Sequence, residues 1–237
     1  MNSLVRIFRK IGRKLRKMRK RTPVRVFLFH QVSEQFDEAT MIDGDWTQIN
    51  QFKHNISCLR KEYTFIPLDK AYRKMRRDIF RFRNYAVLTA DDGWASLNNI
   101  LPWLAEQRIP VTLFLNPGYF DGQHFRDKVS ERYLLWDDVD RIPLLYPKVT
   151  IASHGWNHLR ATEQSEEEFR MSVESSVELL KRYPNYIPFF AYTYGSFSAA
   201  TDSILKELDL VPVLIDKETN MDDLTCIHRE LIDGIVL

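Results

Sequence analysis

Short apolar runs alternate with helix-periodic stretches along most of this chain, and this alternation constrains the fold more than any other feature. Residues 24–29 (VRVFLF) are β-branched and aromatic, which is typical of a buried strand. Similar runs predict strands over 85–90, 111–115, 149–153, 187–192 and 211–215. Apolar residues at helical spacing predict helices over 47–61, 96–107, 136–146 and 164–182, and residues 73–83 are predicted to form a basic loop. Such an alternation produces a parallel sheet covered by helices, so we expect an α/β fold that closes into a barrel.

The composition suits one folded domain in a reducing compartment. A chain of 237 residues with 44% hydrophobic residues can bury a sizeable core, and we expect a single domain over residues 23–237. Cys58 and Cys226 are far apart, which indicates neither a disulfide framework nor a zinc-knuckle spacing. The first residues lack the apolar core of a secretory signal, and no stretch approaches the roughly 20 apolar residues of a membrane span. We therefore expect a cytoplasmic protein.

Residues 1–22 form a basic arm that differs in composition from the rest of the chain. Residues 2–21 contain ten of the 34 Lys and Arg residues and none of the 32 acidic ones. Apolar residues recur at helical spacing and predict an amphipathic helix: Leu4, Phe8, Ile11, Leu15 and Met18. Residues 4–21 fit an interfacial helix on an anionic membrane, which would make the protein peripheral on its inner face, and they fit a solvated or partner-docking arm equally well. The acidic remainder argues against specific nucleic-acid binding.

Polar side chains follow three of the predicted strands. His30 follows the first, Asp91 and Asp92 follow 85–90, and His154 and His158 follow 149–153. Catalytic groups of α/β barrels gather at the carboxyl ends of the strands, so these side chains are expected to converge. Two histidines four residues apart on a helical turn can reach one metal ion, although surface histidines show the same spacing. An Asp-Asp-Gly run by itself also suits a structural turn.

Three short motifs resemble those of the polysaccharide deacetylase family (carbohydrate esterase family four). Leu88–Trp94 (LTADDGW) resembles the first motif of that family, and His154–His158 (HGWNH) resembles the second. Phe190–Gly195 (FAYTYG) is similar to a variant of the third. The order agrees with the family, and the similar region extends from about residue 24 to 232.

The resemblance implies a distorted (β/α) barrel and a hydrolase of carbon–nitrogen bonds. In such an enzyme Asp92, His154 and His158 hold a divalent metal ion, with Zn²⁺ expected. Asp91 acts as the base, and the backbone N–H of Tyr194 stabilises the developing oxyanion. The implied substrate is an N-acylated, and most simply N-acetylated, amino sugar in a glycan or a lipid-linked glycan precursor, which suggests a role in glycan biosynthesis.

Two catalytic roles remain open at this point. The general acid is either His30, in a Phe-His-Gln context similar to permuted family members, or His228; the strand-end position favours His30. The arginine that usually orients the catalytic aspartate is missing from the third motif, so Arg229 is the candidate to replace it. Without such an arginine, the alternative is a catalytically impaired carbohydrate-binding protein on the same fold. Among the aromatic residues near the motifs, Trp156 is the candidate for sugar stacking.

Overall fold

The computed structural model describes residues 24–37, 45–77, 83–120, 133–215 and 225–234, so the predicted basic helix lies outside the described residues. The strands within these ranges are β1 (Val24–Phe29), β2 (Gln31–Ser33), β3 (Trp46–Gln48), β4 (Thr64–Phe65), β5 (Tyr85–Ala90), β6 (Val111–Leu115), β7 (Val149–Ser153), β8 (Tyr186–Ala191), β9 (Val211–Ile215) and β10 (Ile227–Leu231). The helices are α1 (Ile49–Glu62), α2 (Leu68–Arg77), α3 (Leu97–Glu106), α4 (Trp136–Leu145), α5 (Glu166–Leu180) and α6 (Ala199–Glu207).

Seven parallel strands close into a barrel, as the sequence predicts. β5 to β9 pair in chain order, β10 pairs with β9, and β1 pairs with β10 on one side and β5 on the other. The register aligns Phe29 with Ala90, so the residues that follow β1 and β5 lie side by side at the carboxyl end of the barrel. β4 adds a short pairing to β5, and β2 pairs with β3 in a separate two-stranded sheet.

Alternating residues of the strands divide between two buried layers. Inward-facing side chains such as Val87, Phe114 and Phe189 form a cluster inside the barrel. Outward-facing side chains such as Leu88 and Leu113 pack against the surrounding helices. None of the helices in the described part of the chain has the length and hydropathy of a membrane span.

The prediction of a basic loop over residues 73–83 is wrong for residues 73–77, which belong to α2, and residues 78–82 lie outside the described part of the chain. Leu68, Ala71 and Met75 of this helix join the cluster inside the barrel. Five of the ten residues of α2 are Lys or Arg, and this charge density hid the helical period. Helix α6 and strand β10 were not predicted either, and β10 completes the barrel.

Candidate metal centre and active site

Asp92, His154 and His158 converge at the carboxyl end of the barrel. Asp92 Oδ1 lies 3.2 Å from His154 Nε2 and 3.0 Å from His158 Nε2, and one potential ligand atom from each residue lies within 4.8 Å of the others. Asp92 and His154 are buried, whereas His158 is partly exposed. The three residues therefore form one cluster that opens to solvent on the His158 side.

The hydrogen bonds around this cluster leave Asp92 Oδ1 and His154 Nε2 available to a cation. Trp94 Nε1 donates to Asp92 Oδ2 at 2.8 Å, while the buried Oδ1 accepts no hydrogen bond. His154 Nδ1 lies 2.7 Å from the carbonyl oxygen of Ala191, which can only accept, so Nδ1 carries the proton and Nε2 presents its lone pair. Two imidazoles and one carboxylate suit a divalent cation and leave coordination positions open, as in catalytic zinc sites.

The electrostatic environment of Asp92 keeps its carboxyl group ionised, as a metal ligand requires. Burial raises the pKa of the Asp92 carboxyl, but His158 and His154 more than offset it, so the net pKa lies well below the ordinary value. The carboxylate is therefore ionised at neutral pH and available as a ligand.

Left-handed backbone conformations shape this end of the barrel. Asp92 has φ 72°, His158 has φ 55° and Tyr194 has φ 55°. The segment from His154 to His158 is an irregular loop and not the helical turn expected from the spacing, with Gly155 at φ 80°. Such conformations are strained in non-glycine residues and persist where surrounding contacts enforce them. Here they turn the side chains of the first and second motifs toward a common point.

Hydrogen bonds to its backbone carbonyls hold the loop that carries the two histidines. Asn116 Nδ2 donates to the His154 carbonyl at 2.6 Å, and Tyr119 Oη donates to the Asn157 carbonyl at 2.9 Å. The N–H of Gly118 donates to the Trp156 carbonyl at 3.0 Å. The segment after β6 therefore holds the histidine loop in place through hydrogen bonds. The residue types of this segment did not predict that role.

Asp91 lies beside the cluster of Asp92, His154 and His158, in a buried ion pair with Arg229. Arg229 Nη1 and Nη2 donate to Asp91 Oδ1 and Oδ2 at 2.6 and 2.7 Å, and both residues are 0% exposed. Burial raises the pKa of Asp91, but Arg229 and, next, His154 outweigh it, so the net pKa is below its ordinary value. Asp91 Oδ2 lies 3.8 Å from His154 Nε2, which places this carboxylate next to the cluster without being part of it.

The two candidate acids lie in different places. His30 follows β1 directly beside Asp91, and its Nδ1 lies 3.8 Å from Asp45 Oδ1 with 14% of the side chain exposed. His228 neighbours Arg229 on β10, and because Arg229 faces the barrel interior, alternation turns His228 to the outer face. Only His30 lies at the rim of the site. Asp45 was missed, since an isolated aspartate in a polar stretch gives no signal in the sequence.

Tyr194 borders the cluster through its side chain. The Tyr194 ring packs edge to face against the His158 ring, with 4.8 Å between the ring centroids. The Arg160 guanidinium lies 4.2 Å from the centroid of the Tyr194 ring. Tyr194 is 55% exposed. Trp156, the expected stacking residue, packs close to Gly118, where an added Cβ would meet its ring at 2.7 Å.

Comparisons with known proteins agree with this architecture. The Streptococcus pyogenes deacetylase PplD in complex with acetate is similar at 17% identity and a TM-score of 0.75, over 88% of this chain and 91% of that chain. IcaB from Ammonifex degensii is similar at 18% identity and a TM-score of 0.73, over 88% of this chain and 91% of that chain. A de-N-acetylase from Aggregatibacter actinomycetemcomitans is similar at 15% identity and a TM-score of 0.70, over 87% of this chain and 94% of that chain. At these identities the similarity establishes the fold.

Sequence similarity establishes the family. No curated protein sequence is significantly similar to this chain. The sequence profile of the polysaccharide deacetylase family, however, matches residues 82–213, which include Asp91, Asp92, both histidines of the cluster and the third motif. Because this match covers more than half of the chain, the chain belongs to the polysaccharide deacetylase family, whose members are hydrolases acting on carbon–nitrogen bonds.

Proposed function

We propose that this protein is a metal-dependent deacetylase that removes the N-acetyl group from an amino sugar of a glycan. The observation that carries the proposal is the buried Asp92 Oδ1, which accepts no hydrogen bond although two imidazole nitrogens lie 3.2 and 3.0 Å away. A buried carboxylate oxygen without a donor is costly unless a cation binds it. A divalent ion held by Asp92, His154 and His158, Zn²⁺ in this proposal, supplies Lewis acidity toward the amide carbonyl and the attacking water.

Asp91 is the general base in this proposal. The attacking water gives one proton to the Asp91 carboxylate as its oxygen bonds to the amide carbon. Arg229 keeps both carboxylate oxygens in one orientation and keeps the group ionised before the reaction. Arg229 thereby fills the place of the arginine that is missing from the third motif.

His30 is the general acid, and Asp45 positions it. When the carbon–nitrogen bond breaks, the sugar amine must take a proton, and His30 lies at the same rim as Asp91 to provide it. Asp45 Oδ1 lies 3.8 Å from His30 Nδ1, which places a carboxylate beside the ring to orient it. The products are acetate and a free amino sugar. The backbone N–H of Tyr194 is our proposed second donor to the oxyanion, and loss of such a donor costs about 3 kcal/mol in comparable sites.

A carbohydrate-binding protein without activity is the second candidate. That candidate was motivated by the missing arginine, and the ion pair between Arg229 and Asp91 removes this motive. Metal binding without turnover across a range of N-acetylated oligosaccharides would nevertheless favour it.

The test is acetate release from N-acetylated oligosaccharides with added Zn²⁺. Asp92→Asn is expected to abolish metal binding and turnover, whereas Asp91→Asn is expected to bind metal without turnover. Asp209→Asn is the matched control, since Asp209 has a similar left-handed backbone (φ 55°) but is exposed on the surface. Acetate release that survives both a chelator and Asp92→Asn would contradict the proposal.

The cellular setting is a further part of the proposal. A lipid-linked precursor in the cytoplasm is the substrate we favour, because ten basic residues in 2–21 would hold the protein beside an anionic membrane. Deleting residues 2–21 is expected to reduce partition to anionic vesicles, and unchanged partition would remove the role of the arm.

A further inference from the structure

The amino-terminal end of the barrel, opposite the metal cluster, carries a concentration of exposed cations. Helix α2 packs Leu68, Ala71 and Met75 against the barrel interior, so its other face is turned to solvent at this end. That face carries a single acid, Asp69, and five basic residues: Lys70, Arg73, Lys74, Arg76 and Arg77. Lys74 Nζ lies 5.0 Å from the ring centroid of Tyr85, the first residue of β5, which fixes the helix at this end of the strands.

Two exposed leucines lie at the same end. Leu144 and Leu145 form the end of α4, directly before β7 begins, and they are 80% and 58% exposed. Single exposed leucines are ordinary, but this adjacent pair, three residues before the exposed Lys148, forms a small apolar patch.

A cavity of about 340 Å³ opens between the end of α3 and residues 146–149, which follow α4. Its walls include Leu104, Ile109 and Val149, and its rim includes Arg108 and Lys148. Lys148 Nζ donates to the Arg108 carbonyl at 2.9 Å, so the two basic residues lie side by side above apolar walls. An apolar interior under a cationic rim suits an amphiphile with an anionic head.

We propose that this basic end, consisting of α2 and the last turns of α3 and α4, binds the surface of a membrane that contains anionic lipids. The cations contact lipid headgroups, Leu144 and Leu145 enter the apolar boundary, and the cavity accommodates part of an acyl chain. A nucleic acid would satisfy the cations but offers no counterpart to the leucines.

Two further features agree with this orientation. Val24 begins β1 at the same end, so residues 1–23, with their ten basic residues, join the body there. The metal cluster lies at the far end of strands of six residues, roughly 20 Å away along the strand direction, and therefore faces the aqueous side.

The experiment is partition of the full chain to vesicles of phosphatidylcholine with and without 30% phosphatidylglycerol, at low and high salt. Lys70→Gln/Arg77→Gln is expected to weaken binding to the anionic vesicles about 30-fold, since each basic residue near such a surface contributes a factor of about five. Leu144→Ser/Leu145→Ser is expected to weaken it about tenfold. Thermal unfolding shows whether each variant is folded.

Matched controls remove the same chemistry from other faces. Lys53→Gln/Arg170→Gln removes two charges near the amino-terminal ends of α1 and α5, and Met171→Ser/Leu231→Ser removes two exposed apolar side chains. Both controls are expected to bind like the unmodified chain. Equal loss in the controls and in the variants of the basic end would overturn the proposal. So would a result in which the variants bind vesicles normally but lose affinity for a DNA duplex. The test uses no activity measurement, so its failure would leave the proposed deacetylase activity untouched.

Discussion

The buried ion pair between Asp91 and Arg229 gives the most quantitative prediction. Both side chains are 0% exposed, and two charge-assisted bonds of 2.6 and 2.7 Å join them. Removing one member of such a pair leaves an uncompensated buried charge, which typically costs about 3–5 kcal/mol. Arg229→Met is therefore expected to lower the free energy of unfolding by about 4 kcal/mol. Asp91→Asn is expected to cost a similar amount, because Arg229 then keeps only its weaker bonds to Thr89 and the Leu214 carbonyl.

The double variant separates this account from simple loss of packing. Arg229→Met/Asp91→Asn removes both charges of the pair, so it is expected to be more stable than the sum of the single losses by about 3 kcal/mol. Urea unfolding followed by circular dichroism measures all four proteins. Single losses that simply add in the double variant would refute the reasoning.

The ion pair between Arg25 and Glu230 is a matched control within the barrel. It joins β1 to β10 through Nε–Oε1 and Nη2–Oε2 contacts of 2.9 and 2.5 Å, but its side chains are 19% and 20% exposed. Water reaches these groups, so Arg25→Met is expected to cost clearly less than Arg229→Met, on the order of 1–2 kcal/mol. Equal costs at the two sites would show that burial does not set the magnitude.

Three further predictions concern the proposed metal site and the pH dependence of stability. Trp94→Phe removes the bond to Asp92 Oδ2 and is expected to lower zinc affinity about 10- to 100-fold in a chelator competition, whereas Trp46→Phe, which loses a bond to Ser33, should leave affinity unchanged. Gly118→Ala places a Cβ 2.6 Å from the Trp156 carbonyl oxygen, so the histidine loop must shift, and unchanged zinc affinity would contradict its role as support. Burial raises the pKa of Tyr186 to about 12, so its contribution to stability is full below about pH 10 and is lost as the pH rises through 12. Tyr186→Phe should therefore reduce the fall in unfolding free energy over that range, and an identical fall would argue against the shift.

The sequence predicts the fold through those strands and helices whose hydrophobic period is undisturbed. β5, β6 and β7 are continuous apolar runs because both of their faces are buried. β10 reads Ile-His-Arg-Glu-Leu, and its charged residues conceal a strand whose arginine is buried. Periodicity cannot identify such a strand, because the apolar signal is replaced by an ion pair with a residue 138 positions away.

The site is predictable only in part for a related reason. The three potential ligands and Asp91 follow predicted strands and have residue types suited to metal chemistry. Asp45, Asn116 and Gly118 act through contacts that depend on how loops pack, and none has a distinctive sequence neighbourhood. Arg229 was suggested only by the need for a cation beside Asp91, and its bidentate geometry required the closed barrel.

The measurement that tests the central claim most directly is anomalous scattering at the zinc edge from crystals grown with Zn²⁺. We predict one peak about 2.0–2.2 Å from Asp92 Oδ1, His154 Nε2 and His158 Nε2. Asp92→Asn should lose this peak. A crystal saturated with zinc in which the three side chains hold no ion, or in which the ion binds elsewhere, would contradict the account.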